Sequence, residues 1–255
     1  LKSPLSAARV AGLVLLLAAI FSWPVLQPAG RDLDYGSNTA RFLSRFWPPD
    51  FSVLPQVLPS MVETLQMSLL ATIGSALLGL PLGIAASRNT APRVVVSFTR
   101  LALNFIRAIP SLIWALMAVA IVGANTLAGV IALIIYSLGY LGKFFSDAFE
   151  SADPAVSKAL RATGAGRLQA FQYGIWPHAR PLVWSHTLWM LEYNIRSATI
   201  IGYVGAGGIG AWLYTYQEFY QWDKFAAVLT CILVAVILLD FAGSRLRRAL
   251  APESP

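Results

Sequence analysis

Long apolar runs separated by short polar links organise the chain. The clearest cover residues 10–26, 61–86, 126–144, 182–203 and 225–242, and a sixth, interrupted one covers 94–122. A helix that crosses hydrocarbon needs roughly 20 mostly apolar residues, which these runs supply. The apolar positions are continuous rather than alternating, so helices with internally satisfied backbones are expected in place of a lipid-facing barrel. The reading is an all-α membrane protein of about six transmembrane helices.

Punctuation within the runs refines their ends. Ser60 stands three residues before Glu63, a capping-box signature for the start of the second span. Residues 94–122 are too long and too charged for one simple span, because Arg100, Arg107 and Pro110 interrupt them. At 100° per residue Arg93, Arg100, Asn104 and Arg107 share one face. This predicts an amphipathic helix at the membrane boundary, with snorkelling arginines, that breaks near Pro110 and enters a third span. Gly129, Ser137, Gly139 and Gly142 give the fourth span small residues for close helix approach. Trp23, Pro24 and Pro28 read as the interfacial end of a retained anchor, and residues 28–60, with Arg31, Asp32, Asp34, Arg41, Arg45 and Asp50, as a loop with short interfacial helices. The division expected is an N-terminal anchor and loop, 1–60, and a core membrane domain, 61–250.

Composition agrees: 57% of the 255 residues are hydrophobic and 12% charged. Soluble domains carry about a quarter charged residues. The net charge of +7 does not point to nucleic acid, since the basic residues sit between apolar spans rather than among stacking aromatics. They read instead as topology signals. With the N-terminus inside, Lys2, Arg9, Arg88, Arg93, Arg100, Arg107, Lys143, Lys158, Arg161, Arg167, Arg180, Arg245, Arg247 and Arg248 all fall on the cytoplasmic side. Only Arg31, Arg41, Arg45 and Lys224 fall outside, so both termini and the polar segment 146–180 are expected in the cytoplasm. Cys231 is alone inside an apolar run and reads as a packing residue.

In the segment 146–180, Asp153 and Pro154 make an N-cap and N1 pair and Gly164 a stop, which delimits a short helix. A second helix from Arg167 is expected to end before Pro177. Val156, Ala159, Leu160 and Thr163 form a strip on the first helix that either packs on the chain's own helix ends or docks on a partner. The pattern Lys158-Ala159-Leu160-Arg161, then Gly164, then Pro177, resembles the signature Glu-Ala-Ala, three residues, Gly, nine residues, Ile-x-Leu-Pro of ABC importer permeases. Lys158 replaces the Glu, Leu160 the second Ala, Gly174 the Ile and Trp176 the Leu. The segment from Arg107 to Trp114 resembles methionine and phosphonate permeases, and that from Arg196 to Gly210 the phosphonate and phosphite branch. The resemblance implies a type I importer permease that moves phosphonate, phosphite or a related oxyanion by alternating access. It also implies that Lys158, Ala159, Leu160, Arg161, Gly164 and Pro177 belong to the loop seated on a cytoplasmic ATPase. The partners implied are a second permease, most simply another copy of the chain, two ATPase subunits holding ATP and Mg, and a periplasmic binding protein. No Walker A pattern occurs in these 255 residues.

The fifth run places Glu192 and Arg196 at hydrocarbon depth, where charge costs several kcal/mol unless paired or wet. Spaced i and i+4, they are positioned to pair with each other. Ser185, Thr199 and Tyr203 extend the same polar stripe. Glu192, Asn194, Arg196, Ser197 and Thr199 are therefore candidates for a translocation pathway or gate, with a purely structural ion pair as the plain alternative. Gly205-Ala-Gly-Gly-Ile-Gly210 fits G-x-G-x-x-G but follows a membrane span, so it reads as a flexible or re-entrant turn at the outer mouth. His178 and His186 lack a third ligand candidate for a metal. Two other readings remain: a permease for another solute, such as methionine or a metal complex, and an intramembrane enzyme using His186 and Glu192.

Overall fold

A computed structural model describes residues 4–26 and 34–250, which contain helices and turns and no strand. Lys2, Pro28, Arg31 and Asp32, used above in reading the anchor, loop and charge asymmetry, lie outside the described residues. The chain divides into two units, Leu1–Ser44 and Arg45–Pro255. Within the first, α1 spans Pro4–Ser22 and α2 spans Tyr35–Ser44. Asp34 opens α2, its Oδ1 accepting the backbone N–H groups of Gly36 and Ser37.

The second unit is built around two long helices, α3 (Leu54–Ala86) and α6 (Thr126–Glu150). Helix α3 begins before Ser60, so the expected capping box lies inside the helix. The start is set instead by Pro55 in the first turn, where the missing N–H costs nothing. Buried hydroxyls on α3 satisfy themselves along the helix: Thr64 donates to Ser60, Ser68 to Thr64 and Thr72 to Ser68 backbone carbonyls, at 2.7–2.9 Å. Such bonding is what a dry interior demands. Gly79 and Gly83 then let α6 approach closely. A Cβ at Gly83 would lie only 2.7 Å from Phe145 Cβ.

Helices α4 (Arg93–Ala108) and α5 (Ser111–Val122) meet at Pro110 with a bend of 86°, which agrees with the break read from the sequence. Proline disfavours helical backbone in the residue before it, and Ile109 is extended there. Trp114 Nε1 spans the elbow to the Ile106 carbonyl at 3.3 Å. Leu103 fills the space left by Gly142, and Arg107 and Ile106 that left by Gly139, so the small residues of α6 serve the packing expected of them. Asn125 caps α6, accepting from Ala128 N at 3.1 Å.

After α6 come α7 (Pro154–Ala162) and a short α8 (Arg167–Ala170). The helical path that α8 begins does not break before Pro177. It continues through one π-helical turn, Phe171–Ile175, directly into α9 (Trp176–Ile201). Pro177 sits in the first turn of α9, where it starts a helix rather than stopping one. A second π-helical turn, Gly202–Ala206, leads to α10 (Gly210–Glu218) and α11 (Trp222–Leu250).

Among the described residues three apolar clusters hold the second unit. One joins the start of α3 to α10 and α11 through Val57, Met61, Ile209, Leu213 and Val228. A middle cluster is rich in alanine, with Ala71, Ala115, Ala118, Ala128, Ala132 and Ala198, which brings backbones together as membrane interfaces prefer. The third packs Leu141, Phe145, Phe149, Ile175 and Met190. Among the described residues three helices are long and apolar enough to cross a membrane, Phe51–Ala86, Thr126–Glu150 and Trp222–Arg248, and the bent pair raises this to four. Helix α9 has the length, but Arg180, His186, Glu192 and Arg196 make it less apolar than these. The described apolar part of α1, Arg9–Val25, is shorter. By length and composition, three or four of the six expected spans are recovered among the described residues.

Candidate translocation and coupling sites

Helix α9 brings its polar residues onto two different faces. Glu192, 9% exposed, pairs with Arg247 of α11, whereas Arg196 Nη1 donates to both Asp240 oxygens, also on α11, at 3.3 and 3.4 Å. The pairing expected within α9, from Glu192 to Arg196, does not form. Each side chain instead finds an opposite charge across the helix seam, which joins two helices and neutralises both charges. Gly243 makes room for this, because a Cβ there would collide with the Glu192 carboxylate. Arg196 and Asp240 remain half open, with side chains 44% and 46% exposed, while Glu192 is enclosed.

Asn194 faces the other way. Its Oδ1 accepts from Ser137 Oγ at 2.8 Å and its Nδ2 donates to Thr72 Oγ1 at 2.9 Å, tying α9 to both α6 and α3. All three residues are buried. Ser197 is buried too, and Thr199 donates to the Ile195 carbonyl at 3.2 Å. The five residues therefore do not form one lining. Asn194 belongs to a buried polar knot, and Arg196 is the candidate that keeps an open side.

An aromatic group that the sequence reading missed lies beside the knot. Tyr136 and Tyr193 hydroxyls meet at 2.7 Å, their rings stacked at 5.6 Å, and Trp189 stacks on Tyr193 at 5.7 Å. A cavity of about 100 Å³ opens among Tyr136, Tyr140, Trp189, Met190 and Tyr193. The Arg107 guanidinium lies over the Tyr140 ring at 4.9 Å. The signal was present as two i, i+4 aromatic pairs, Tyr136 with Tyr140 and Trp189 with Tyr193. His186 stacks on Phe144 at 4.9 Å while Glu192 holds Arg247, so the acid and base of an intramembrane enzyme are each engaged elsewhere.

The glycine-rich segment is a packed re-entry rather than a flexible turn. Gly205, Gly207 and Gly208 take φ of +94°, +78° and +71°, and the chain folds so tightly that a Cβ on Gly210 would collide with the Thr199 carbonyl. Glu63 accepts from Gly208 N at 3.2 Å and from the Thr126 hydroxyl, and Thr64 Oγ1 accepts from Ile209 N at 2.8 Å. Glu63, expected to cap a helix, instead anchors this turn.

In the loop between α6 and α9, Asp153 caps α7 by accepting from Ala155 N at 2.8 Å, and Gly164 takes φ of +93°. Lys158, Ala159, Arg161, Gly164 and Pro177 are exposed, as are Val156 and Thr163, while Leu160 turns inward. Leu160 and Ser157 rest on Gly174, where a Cβ would lie 3.2 Å from Ser157 Cα. This explains a glycine in place of the Ile in the resembled signature: α7 lies too close for a larger side chain.

Comparison with known proteins follows the same lines. The family model described as binding-protein-dependent transport system inner membrane component matches residues 79–253. The putative phosphite transport system permease protein HtxC of Stutzerimonas stutzeri is 35% identical over 236 residues, covering 92% of this chain and 83% of the relative. The phosphite transport system permease protein PtxC of the same organism is 38% identical over 202 residues, covering 79% and 74%. An inward-facing structure of the MetNI methionine ABC transporter shares the fold, with a TM-score of 0.70 at 23% identity over 79% of this chain and 99% of that one. An exposed loop helix, a packed glycine re-entry and a charged seam within a helical membrane domain thus occur on a chain whose greater part matches that model, and the protein belongs to the family of binding-protein-dependent transport system inner membrane components.

Proposed function

We propose that the chain is the permease subunit of an ATP-driven importer for phosphite, phosphonate or a related phosphorus oxyanion. The observation that carries this reading is the 35% identity to a phosphite permease protein along 92% of the chain. The methionine transporter, at 23% identity, supports the fold and not the cargo.

In this reading α7 is the docking element for an ATPase subunit, which binds ATP and Mg in its own chain. Lys158, Ala159, Arg161 and Gly164 form the exposed contact, with Leu160 and Pro177 setting the position of α7 against α9. Both termini and this loop lie in the cytoplasm, and a binding protein delivers the anion on the opposite side. Two permeases, most simply two copies, share the pathway. Arg196 is the pathway cation. A guanidinium attracts an oxyanion, and Asp240 beside it offsets the attraction so that cargo is not trapped midway. Glu192, Asn194, Ser197 and Thr199 hold α9 in place for that task.

The ligand of the cognate binding protein tests the cargo. Titration calorimetry with phosphite, methylphosphonate, phosphate and methionine should show binding of at least one phosphorus oxyanion and none of methionine. Tight methionine binding without oxyanion binding would reject the cargo assignment.

A further inference from the structure

A cavity of about 570 Å³ opens where α3 ends and α4 begins, lined by Arg88, Ala91, Arg93, Val96, Ser97 and Arg100. Three guanidinium groups line it. One carboxylate lies close: Glu150 accepts the Arg88 backbone N–H at 2.5 Å and Arg100 Nη2 at 2.7 Å. Arg100 Nε also donates to the Ala86 carbonyl at 2.8 Å, so Arg100 is largely committed to holding α4 against α3 and α6. Arg88 and Arg93 are exposed, and neither guanidinium has a hydrogen bond or ion pair within the described residues. The cavity keeps a net positive charge of about two.

The same helix carries a second feature. Val94, Phe98, Leu101 and Phe105 follow one another at helical spacing and are 64–81% exposed, forming an apolar stripe on α4. Val96 and Leu103, on another side, are the residues that α4 buries. Arg93 and Ser97 of the cavity border Val94 and Leu101 of the stripe. Helix α4 follows the end of the Phe51–Ala86 candidate span after one short turn, so the border lies beside the end of that apolar helix. An amphipathic helix of this kind lies in the interface with its apolar face in the acyl region.

We infer that this cavity is a binding site for an anionic phospholipid, with the phosphate between Arg88 and Arg93 and the acyl chains along Val94, Phe98, Leu101 and Phe105. Charge complementarity selects the headgroup and the apolar stripe selects a lipid over a free anion. Basic pockets beside membrane helices bind such headgroups for these reasons. A soluble oxyanion would use the arginines and leave the stripe uncovered. An acidic surface of a partner protein would do the same. Bound lipid would also brace the α3–α4 turn, to which the neighbouring cavity of Arg88, Ser157, Arg161 and Arg167 connects α7.

The test is lipid retention and titration on the full-length protein, purified in neutral detergent and followed by native mass spectrometry. Phosphatidylglycerol should bind, phosphatidylcholine and inorganic phosphate should bind at least about tenfold more weakly, and Arg88→Gln with Arg93→Gln should lower phosphatidylglycerol affinity by roughly tenfold or more. The lipid preference of the unaltered protein stands even if the variant fails to fold. Equal binding of the two lipids would overturn the site. Phosphate binding as tight as phosphatidylglycerol would make it a free-anion site. Cysteines placed at Val94 and Phe98 should not cross-link in the reconstituted membrane. Efficient cross-linking between two copies or to an acidic partner would show that protein covers the stripe.

Discussion

Arg196 of α9 reaches Asp240 of α11 rather than Glu192 one turn away on its own helix, with guanidinium to carboxylate distances of 3.3 and 3.4 Å. Glu192 is in turn taken by Arg247. Two charges that look like an internal pair in the sequence thus become two rungs of a seam between helices. Because Arg196 and Asp240 are half exposed, their pairing is worth about 1 kcal/mol or less to stability. Arg196→Ala should therefore melt within a few degrees of the unaltered protein and still assemble with its ATPase, while oxyanion uptake in proteoliposomes falls roughly tenfold or more. Uptake at the original rate would remove Arg196 from the pathway.

The enclosed rung responds differently. Gly243→Ala places a methyl group against the Glu192 carboxylate and forces it away from Arg247. Overpacking and loss of a partly buried pair each cost about 1–3 kcal/mol, so a clear drop in melting temperature is expected. Combining Gly243→Ala with Arg247→Gln should cost less than the sum of the two single changes, because both act on one contact. Strict additivity would show that the glycine serves another purpose.

Asn194 offers a test of the buried knot. Replacing it by Leu strands the Ser137 hydroxyl and removes a donor from Thr72, in a place where water is excluded. The expected loss is about 2–4 kcal/mol, read as a lower melting temperature with no selective change in cargo preference. Ser197→Ala, made on the same helix, should cost less than about 1 kcal/mol. A larger loss from Ser197 than from Asn194 would contradict the assignment.

One carboxylate, Glu63, holds the glycine re-entry together with the Thr64 hydroxyl. Glu63→Gln keeps the shape but replaces one accepting oxygen by a donor, leaving either Gly208 N or the Thr126 hydroxyl poorly served. Hydrogen exchange at residues 205–209 should speed up by roughly tenfold or more. Unchanged protection would show that Thr64 and the packing of Ile209 suffice.

Helix positions and breaks were legible in the apolar pattern because each depends on local chemistry. Pro110 splits α4 from α5 where expected, and Asp153 and Gly164 delimit α7. Partners across helices were not legible. Periodicity places Glu192 and Arg196 on one face but says nothing of which helix meets that face, so Asp240 and Arg247 went unread. Ser60 and Glu63 have the spacing of a capping box, yet Pro55 starts α3 earlier and frees Glu63 for a partner 145 residues away. Pro177 misled in the same way, since proline marks a helix start as readily as a stop. The loop signature was legible only through resemblance, and the geometry supplies a reason for one departure from it: Gly174 lies directly beneath Ser157 and Leu160.

Lys158 is the departure that bears on assembly. It is exposed on α7 and free of any ion pair found among the described residues, so a complementary acidic patch on the cognate ATPase is expected. Lys158→Glu should weaken co-purification of that ATPase by roughly tenfold, with the loss largest at low salt. Unaltered co-purification would place Lys158 outside the contact.

Driven by an ATPase, the chain is expected to conduct a phosphorus oxyanion. Accumulation of radiolabelled phosphite and methylphosphonate in proteoliposomes containing the chain, its ATPase and its binding protein measures this conduction. Uptake of at least one of these anions that requires ATP and the binding protein, and that excess methionine does not inhibit, is the predicted result. ATP-dependent uptake of methionine with no uptake of either anion would contradict it.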